Sequence, residues 1–211
     1  MSRSDPMRGI LGGLFDPIHF GHYRPALELM PVLGLTEVRL VPCGHPVHRA
    51  PPQASAQHRW NMVRLVADGV RLVADDRELK SPEPSYTYDT LCSLKDEDPA
   101  PLCLLVGADA LEELPSWHRA EELIQLCHVA AIARSGSEAV ASLPNSWGPR
   151  CTRDPEALRQ SPYGRIYLHQ GTFYDFSSTQ VRDLIRTGTS PRYCVPGSVW
   201  AYIRRHRLYL D

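Results

Sequence analysis

The chain has 211 residues, of which 43% are hydrophobic and 22% charged, and this composition is ordinary for a globular protein. Its length suits one domain whose core needs neither disulfides nor a structural metal. The formal net charge of −1 at pH 7 provides no overall basic field, so we expect no nucleic-acid partner.

The six cysteines form no C-x-x-C pair and have no spacing typical of a zinc site. Several lie within apolar runs, where a free thiol behaves as a small hydrophobic side chain. The N-terminal segment lacks the apolar stretch of a signal peptide, and no later run reaches membrane-spanning length. These features predict a cytoplasmic protein with no membrane partner and no metal held by protein ligands.

The first part of the chain alternates between short apolar runs and amphipathic segments. It predicts, in order, a strand ending over residues 8–11, a helix over 21–33 that ends or is interrupted near Pro31, a strand over 37–42, a Pro- and Gly-rich loop over 43–54, a helix from the N-cap Ser55 through 67, and a strand over 70–73.

The remaining part continues the alternation. It predicts a helix over 87–94, a strand over 102–106 ending at Gly107, a helix over 120–126, a strand over 129–133, a long irregular insertion or partly ordered flap over 135–164, a strand over 165–169, a helix over 177–186 that stops at Gly188, and a helix over 197–206. We therefore predict one domain over residues 1–211, with 177–211 a small helical C-terminal portion that closes the ligand site.

Strands that are apolar throughout and alternate with helices indicate a doubly wound α/β fold, with a parallel sheet covered on both faces. In such sheets, ligands bind beyond the carboxyl ends of the strands, where the strand order reverses. Candidate exits are Gly12-Gly13 after the first strand and Gly107-Ala108-Asp109 after the fourth.

The string GGLFDPIHFGH over residues 12–22 follows the first strand directly. Paired glycines allow a ligand to approach the backbone closely. His19 and His22 are three residues apart, so both imidazoles can share one face of a helix that starts near Gly21. Unpaired N–H groups at a helix start favour phosphate. Either histidine alone is better explained by backbone hydrogen bonding at a turn, but the whole string favours a phosphate site.

A second string, SSTQVR over residues 177–182, begins a predicted helix. Hydroxyl groups at a helix N-terminus can cap it and donate to phosphate oxygens, and Arg182 lies one turn further along. Alone, the hexapeptide is explained by an N-cap and a surface arginine. Together with residues 12–22, it favours phosphate binding.

These strings resemble G-G-x-F-D-P-x-H-x-G-H and S-S-T-x-[IV]-R, the nucleotide-binding motifs of the H-x-G-H nucleotidyltransferases. Class I aminoacyl-tRNA synthetases carry a similar short motif, but this chain is too short for one and lacks their lysine-rich second motif. The resemblance implies a Rossmann-like nucleotidyltransferase fold with His19, His22 and Arg182 as catalytic residues. The implied ATP-binding residues are Gly12, Gly13, Leu14, Phe15, His19, His22, Gly107, Asp109, Arg134, Ser177, Ser178, Thr179 and Arg182.

Three further segments are similar to those of bacterial nicotinate-nucleotide adenylyltransferases: PSYTYDTL (84–91), GAD (107–109) with LPSWH (114–118), and PCGHPVHR (42–49). The resemblance extends from residue 9 to 208, and only 135–164 matches poorly. The implied substrate-binding residues are His45, Tyr86, Thr87, Asp109, Trp117 and His118.

By this resemblance, Trp117 would stack on the pyridine ring, as one flat ring does on another, while Thr87 and the backbone at His118 hold its carboxylate. Asp109 would accept from ribose hydroxyls. His45 and Arg49 would face the nucleotide's phosphate, and Arg134 would lie near ATP.

The chain departs from the family string at Leu14, where Thr or Ser is usual, and at Leu11, where Phe is usual. Leu14 would remove one hydroxyl contact to ATP and leave its backbone N–H. Asp16 is compatible with two roles, a metal contact or a cap of the turn.

The implied reaction joins the adenylyl group of ATP to nicotinate mononucleotide, with Mg²⁺ bridging oxygens of the leaving pyrophosphate. Rival acceptors are nicotinamide mononucleotide, which differs by little more than one functional group, and phosphopantetheine, whose enzymes usually have T-x-G-H in place of residues 19–22. A non-catalytic nucleotide-binding regulator on the same fold is an alternative of another class. The intact His19, His22, Ser178 and Arg182 favour an enzyme.

Overall fold

The computed structural model describes residues 6–47, 50–133, 143–171 and 176–210. Its strands form one seven-stranded sheet in the order β3-β2-β1-β4-β5-β7-β6. The strands are β1 (Met7–Gly13), β2 (Leu35–Pro42), β3 (Leu72–Ala74), β4 (Leu102–Gly107), β5 (His128–Ala133), β6 (Cys151–Thr152) and β7 (Ile166–Gln170).

Nine α-helices alternate with these strands in the described part of the chain. They are α1 (Phe20–Leu33), α2 (Ala56–Arg64), α3 (Arg77–Lys80), α4 (Thr87–Glu97), α5 (Ala108–Glu113), α6 (Ala120–Leu123), α7 (Glu156–Arg159), α8 (Ser178–Arg186) and α9 (Gly197–His206). Single 3-10 turns cover Leu114–Ser116 and Gly148–Arg150.

The strand order reverses between β1 and β4, which pair in parallel with Gly9 opposite Cys103. The pairs β4–β5, β5–β7 and β6–β7 are also parallel. Five consecutive residues of β4 are buried, as expected for a central strand covered on both faces. The predicted doubly wound α/β fold is confirmed.

Two compact units divide the described residues. The first contains residues 6–11, 25–38, 86–133 and 143–171, with β4, β5, β6 and β7. The second contains 12–24, 39–47, 50–85 and 176–210, with α2, α8 and α9. The hydrogen bonds and ring contacts described below each lie within one unit.

Helix α1 continues through Pro25 and Pro31, so the predicted interruption near Pro31 does not occur. Each proline removes one backbone donor from the helix. The apolar face that includes Ala26, Leu29 and Leu33 is almost completely buried and offsets that loss.

The predicted irregular insertion is more regular than expected where it is described, from 143 to 164. It adds strand β6 to the sheet edge and contains α7. Trp147 anchors it, because the side chain is 1% exposed and its Nε1 donates to Glu121 Oε1 at 2.9 Å. Composition concealed this order, since Pro, Gly and Ser dominate the segment.

None of the helices in the described ranges has both the length and the apolar character needed to cross a membrane.

Candidate active site

The turn after β1 begins with two glycines that differ in their surroundings. A Cβ on Gly13 would lie 3.1 Å from Phe15 Cε1, so the buried phenylalanine ring requires glycine there. A Cβ on Gly12 would meet nothing within 4 Å, and the residue is exposed. Contacts within the protein therefore explain Gly13 and leave room beside Gly12 for a ligand.

Three carbonyl groups of this turn are held by side chains from later in the chain. Arg59 Nη1 donates to the Leu14 carbonyl at 2.9 Å, and Arg182 Nη1 donates to the Asp16 carbonyl at 2.7 Å. The Ser178 hydroxyl donates to the Pro17 carbonyl at 3.0 Å. These bonds fix the directions of the three carbonyl groups, because each oxygen is held by a donor from a distant segment of the chain.

The Asp16 carboxylate is 3% exposed and accepts three hydrogen bonds. The donors are the backbone N–H of Gln53 at 2.7 Å, the backbone N–H of Ala54 at 3.0 Å and the Tyr209 hydroxyl at 2.8 Å. Arg182 Nη1 lies 3.8 Å from Asp16 Oδ2. These contacts join the turn to residues 53–54 and to Tyr209, which is a structural role other than the cap and the metal contact that the sequence left open.

The two histidines of the H-x-G-H string lie against each other, with ring centroids 3.7 Å apart. The backbone N–H of His19 donates to His22 Nδ1 at 3.1 Å, which requires Nδ1 to be unprotonated and places the ring proton of neutral His22 on Nε2. The Phe15 ring contacts the His22 ring edge to face, with an interplanar angle of 85° and ring centroids 5.1 Å apart.

His19 is 3% exposed, and burial lowers its pKa from 6.5 to about 4. Its Nδ1 is buried and has no hydrogen-bond partner in the described structure. Buried polar atoms are almost always paired, so an unpaired ring nitrogen at this point marks a place where a ligand atom can bind.

Gly21 is explained by the same ring. A Cβ there would lie 3.0 Å from both Nδ1 and Cε1 of His19 and 3.1 Å from the Phe176 carbonyl oxygen. Any larger residue would displace the imidazole or the backbone at Phe176. The glycine of the H-x-G-H string therefore keeps the space beside His19 open.

The helix N-terminus contributes less than the sequence suggested. Helix α1 begins at Phe20, whose N–H donates to the Cys194 carbonyl at 2.9 Å. The His22 N–H donates to the His19 carbonyl at 3.0 Å. The prediction of unpaired donors at this helix start is wrong for these two amides, so the histidine side chains are the stronger candidates for phosphate contact.

Helix α8 begins with a capping box. Ser177 Oγ accepts from the Gln180 N–H at 3.1 Å, and the Ser177 N–H donates to Gln180 Oε1 at 2.7 Å. Arg182 Nη2 donates to Thr179 Oγ1 at 3.2 Å. The Ser178 hydroxyl already donates within the protein, so its predicted donation to phosphate requires that bond to be exchanged. The Ser177 and Thr179 hydroxyls only accept in these bonds, so each keeps a proton that it can donate.

The protein does not engage every donor of the Arg182 guanidinium group. Its Nε is buried and has no partner among the described residues, although Nη1 and Nη2 are bonded. A guanidinium group in this state can reach an anionic oxygen while it still holds the turn.

His45 lies in a loop that Ser85 holds. Ser85 Oγ accepts from the backbone N–H groups of Gly44 at 3.1 Å and His45 at 3.0 Å, and the Ser85 N–H donates to the His45 carbonyl at 3.0 Å. A Cβ on Gly44 would collide with the Glu78 carbonyl, so this loop position requires glycine. The exposed His45 is therefore carried on a fixed backbone.

The predicted pyridine-binding residues belong to the first unit. Tyr86 precedes α4 and Thr87 is its first residue. The exposed His118 ring lies 4.3 Å from the Tyr86 ring at 30°. Trp117 is half-buried, and its backbone N–H donates to the Leu114 carbonyl at 3.1 Å. These positions form an aromatic surface on one unit.

Gly107 and Asp109 lie where β4 joins α5. Both are exposed, and a Cβ on Gly107 would approach Asp109 Oδ1 to 2.6 Å. Glycine therefore leaves space for the carboxylate side chain. Arg134 and Arg49, the other two predicted contacts, lie outside the described residues.

Sequence reasoning missed Arg59, Ser85 and Tyr209. Each forms its contact through a hydrogen bond to a residue at least 40 positions away in the chain. Arg59 is 1% exposed, and a buried arginine cannot be distinguished from a surface one by helical periodicity alone. Ser85 lies in the 84–91 string, where it was given no role, and no local signal identifies Arg59 or Tyr209.

Fold and site together define a nucleotidyltransferase. The family model described as cytidylyltransferase-like matches residues 10–184. This range contains both phosphate-site strings and the aromatic segments.

The chain belongs to the nicotinate-nucleotide adenylyltransferase family. A relative from Aeromonas hydrophila subsp. hydrophila, named "Probable nicotinate-nucleotide adenylyltransferase", is 46% identical over 211 residues, covering 97% of each chain. A relative of the same name from Pseudomonas fluorescens is 48% identical and covers 95% of this chain and 96% of its own.

Solved structures support the same fold. A Plasmodium falciparum nicotinic acid mononucleotide adenylyltransferase complexed with NaAD matches with a TM-score of 0.72 and 20% identity, over 97% of both chains. The same protein complexed with APC matches with a TM-score of 0.69 and 20% identity, over 97% of both chains.

Proposed function

We propose that this protein transfers the adenylyl group of ATP to nicotinate mononucleotide and releases deamido-NAD and pyrophosphate. The observation that carries this proposal is the unpaired, buried Nδ1 of His19, which lies beside His22 in a turn fixed by Arg59, Ser178 and Arg182. Full-length relatives at 46% and 48% identity carry the name of this activity.

In the proposed reaction, an oxygen of the acceptor's 5'-phosphate attacks the α-phosphorus of ATP in line. The bond from that oxygen to phosphorus forms as the bond to the bridging β-phosphate oxygen breaks, and pyrophosphate leaves with the electron pair. A phosphate monoester is already anionic, so no side chain has to remove a proton. Catalysis consists of positioning and charge stabilisation.

The described residues divide that work. His22 presents a donor at Nε2, and His19 pairs its buried Nδ1 with an oxygen of the triphosphate. Arg182 uses Nε toward the same oxygens while its other nitrogens hold the turn. When ATP binds, the buried Nδ1 of His19 gains a hydrogen bond that it lacks in the free protein. A site whose polar atoms are already paired would gain no such bond.

Mg²⁺ enters with ATP as part of the substrate and neutralises charge on the departing phosphates. The described residues contain no cluster of three or more His, Cys, Asp or Glu side chains that could hold a metal ion. Asp16 already accepts three hydrogen bonds. We therefore assign the metal's ligands to triphosphate oxygens and water.

Acceptor selection is assigned to the aromatic surface around Trp117, Tyr86 and His118, with Thr87 at the first position of α4 facing the carboxylate. Stacking explains affinity for a flat heterocycle. A backbone N–H or hydroxyl donor that pairs with a carboxylate oxygen prefers it to the neutral amide of the nicotinamide compound.

The predicted single domain and cytoplasmic location remain part of this proposal. All six cysteines are free, which fits a reducing compartment.

The test is pyrophosphate release from MgATP, measured in parallel with nicotinate mononucleotide, nicotinamide mononucleotide and phosphopantetheine. We expect strong preference for the first, and Trp117→Ala is expected to raise its KM about 10-fold while leaving the KM for ATP unchanged. Preference for phosphopantetheine would contradict the acceptor assignment. No release with any acceptor would contradict adenylyl transfer itself.

A further inference from the structure

Near the end of the described chain, Tyr209 contacts the phosphate-site turn through its side chain. Tyr209 follows α9 and is 7% exposed, and its hydroxyl donates to Asp16 Oδ1 at 2.8 Å. The two residues are 193 positions apart. No motif of the sequence includes Tyr209, and the proposed reaction does not use it.

Asp16 joins several parts of the second unit at one point. Its carboxylate holds the backbone at Gln53 and Ala54 as well as Tyr209, and its carbonyl accepts from Arg182. Removal of one donor from a buried carboxylate leaves part of its charge without a partner. The carboxylate would then move toward a remaining cation, and Arg182 Nη1 is already 3.8 Å away.

Such a movement would alter the site, because the buried Nε of Arg182 has no partner among the described residues and is the atom assigned to the triphosphate oxygens. An Arg182 drawn to the side chain of Asp16 would loosen its bond to the Asp16 carbonyl. The peptide plane between Asp16 and Pro17, which precedes α1, would then be fixed by fewer contacts. The Tyr209 hydroxyl shares Oδ1 with the Ala54 N–H, and its bond opposes a shift of the carboxylate toward Arg182, whose Nη1 is 3.8 Å from Oδ2.

We infer that Tyr209 is a positioning residue of the ATP-phosphate site, which acts through the Asp16 carboxylate to set Arg182 and the turn over residues 14–17. This inference rests on the proposed function for the identity of the ligand. Tyr209 touches neither substrate, and its effect on catalysis is indirect.

Two features of Tyr209 support this role. Burial, and next the charge of Asp16, raise the pKa of the phenol, so it remains a protonated donor at all working pH values. Its backbone has φ of 64°, a left-handed conformation that is unfavourable for a residue with a side chain and persists where surrounding contacts enforce it. The hydrogen bond to Asp16 is such a contact.

The test compares Tyr209→Phe, which removes only the hydroxyl, with Tyr163→Phe at a 46% exposed tyrosine. For each protein, the dissociation constant for a non-hydrolysable ATP analogue, both KM values, kcat and the melting temperature are measured. We expect Tyr209→Phe to weaken analogue binding and raise the KM for ATP by about 10-fold. The KM for nicotinate mononucleotide is expected to stay within about twofold of wild type.

A double-variant measurement separates positioning from general stability. If Tyr209 acts through Arg182, then Tyr209→Phe should change ATP-analogue affinity less than about twofold when Arg182→Ala is already present. A purely structural role predicts a lower melting temperature with unchanged affinity below it, and that result would overturn the inference.

The outcomes also distinguish the inference from the proposed function. Wild-type turnover of nicotinate mononucleotide with equal ATP affinity in Tyr209→Phe and Tyr163→Phe would overturn the role of Tyr209 and leave the function standing. If Tyr209→Phe binds the analogue more weakly but the wild-type protein does not use nicotinate mononucleotide, the positioning role of Tyr209 would be supported and the assignment of the acceptor would be overturned.

Discussion

Two buried histidines, one in each compact unit, have the same lowered pKa but different surroundings. Burial lowers the pKa of both His19 and His128 from 6.5 to about 4. His128 is 0% exposed and fully paired, with Nε2 at 3.0 Å from the Ser161 carbonyl and Nδ1 accepting from the Arg165 N–H at 3.2 Å. His19 has an unpaired Nδ1.

The comparison shows that a perturbed pKa does not by itself identify a functional histidine. Both shifts have burial as their largest cause, and burial is equally available to a structural residue. The difference lies in hydrogen bonding, because His128 connects β5 to the segment before β7 and has no donor or acceptor left. An unpaired polar atom is the better indicator of a ligand site.

The largest expected effect separates the two histidines directly. His19→Ala removes a group that contacts the triphosphate as charge develops, so we expect kcat to fall about 100- to 1000-fold. The loss of the buried ring also leaves a cavity, so the free energy of unfolding should fall, but by less than in a variant that additionally leaves hydrogen-bond partners unpaired, because Nδ1 has none. Steady-state pyrophosphate release at saturating MgATP measures the first effect, and thermal unfolding measures the second.

The matched variant is His128→Ala. It leaves the Ser161 carbonyl and the Arg165 N–H unpaired beside a new cavity, so we expect a loss of about 2–4 kcal/mol in the free energy of unfolding. Its kcat, measured well below the melting temperature, should match wild type. The reverse pattern, with activity lost only in His128→Ala and the larger loss of stability in His19→Ala, would refute the comparison.

Local motifs made the phosphate site predictable in part. The string over residues 12–22 identifies His19, His22 and the glycine that keeps space beside them, because these residues act within a few positions of one another. Arg59 and Tyr209 escaped because each meets the turn only after folding. The sequence likewise could not show that Ser178 donates to Pro17.

A second prediction concerns stability between pH 6.5 and 4. In this range the unfolded chain protonates His128, whose reference pKa is 6.5, while the folded chain, with a pKa of about 4, does not. The free energy of unfolding therefore decreases as the pH falls from 6.5 to 4. Above pH 6.5 His128 makes no such contribution, because it is neutral in both the folded and the unfolded chain. The full extent is about 3 kcal/mol for a shift of this size.

The measurement is the free energy of urea unfolding at pH 7 and pH 5. His128→Gln, which cannot titrate, should lose less stability between these values than wild type, whereas the exposed His206→Gln should behave like wild type. The lowered pKa of His19 contributes equally to the pH dependence of all three proteins, so it cancels when they are compared. Identical pH dependence in His128→Gln and wild type would show that the buried state of His128 is not coupled to folding.

The fold was easier to predict than its small elements. Apolar runs such as β4 form strands that are buried on both faces, so the sequence pattern alone predicts them. The four-residue helix α3 and the two-residue strand β6 were missed, because segments this short do not contain enough residues to show a hydrophobic periodicity. Helix α1 shows the opposite failure, since Pro31 suggested an end that buried packing overrides.

The smallest expected effect extends the comparison from histidines to glycines. Gly13 and Gly21 are required by protein atoms, whereas a Cβ on Gly12 would stand in open space. Gly12→Ala should therefore leave the free energy of unfolding within about 0.5 kcal/mol of wild type. If ATP approaches the backbone here, the added methyl group should weaken its binding about 10-fold, as calorimetry with a non-hydrolysable analogue would measure.

Gly148→Ala is the control, because a Cβ at this exposed position also meets nothing and no ligand contact is assigned to it. Both variants add one methyl group to open space, so their stabilities should agree while their ATP affinities differ. Equal affinity in the two proteins would show that the space beside Gly12 is ordinary solvent. The unpaired Nδ1 of His19 would then have to account for ATP binding without help from the glycine turn.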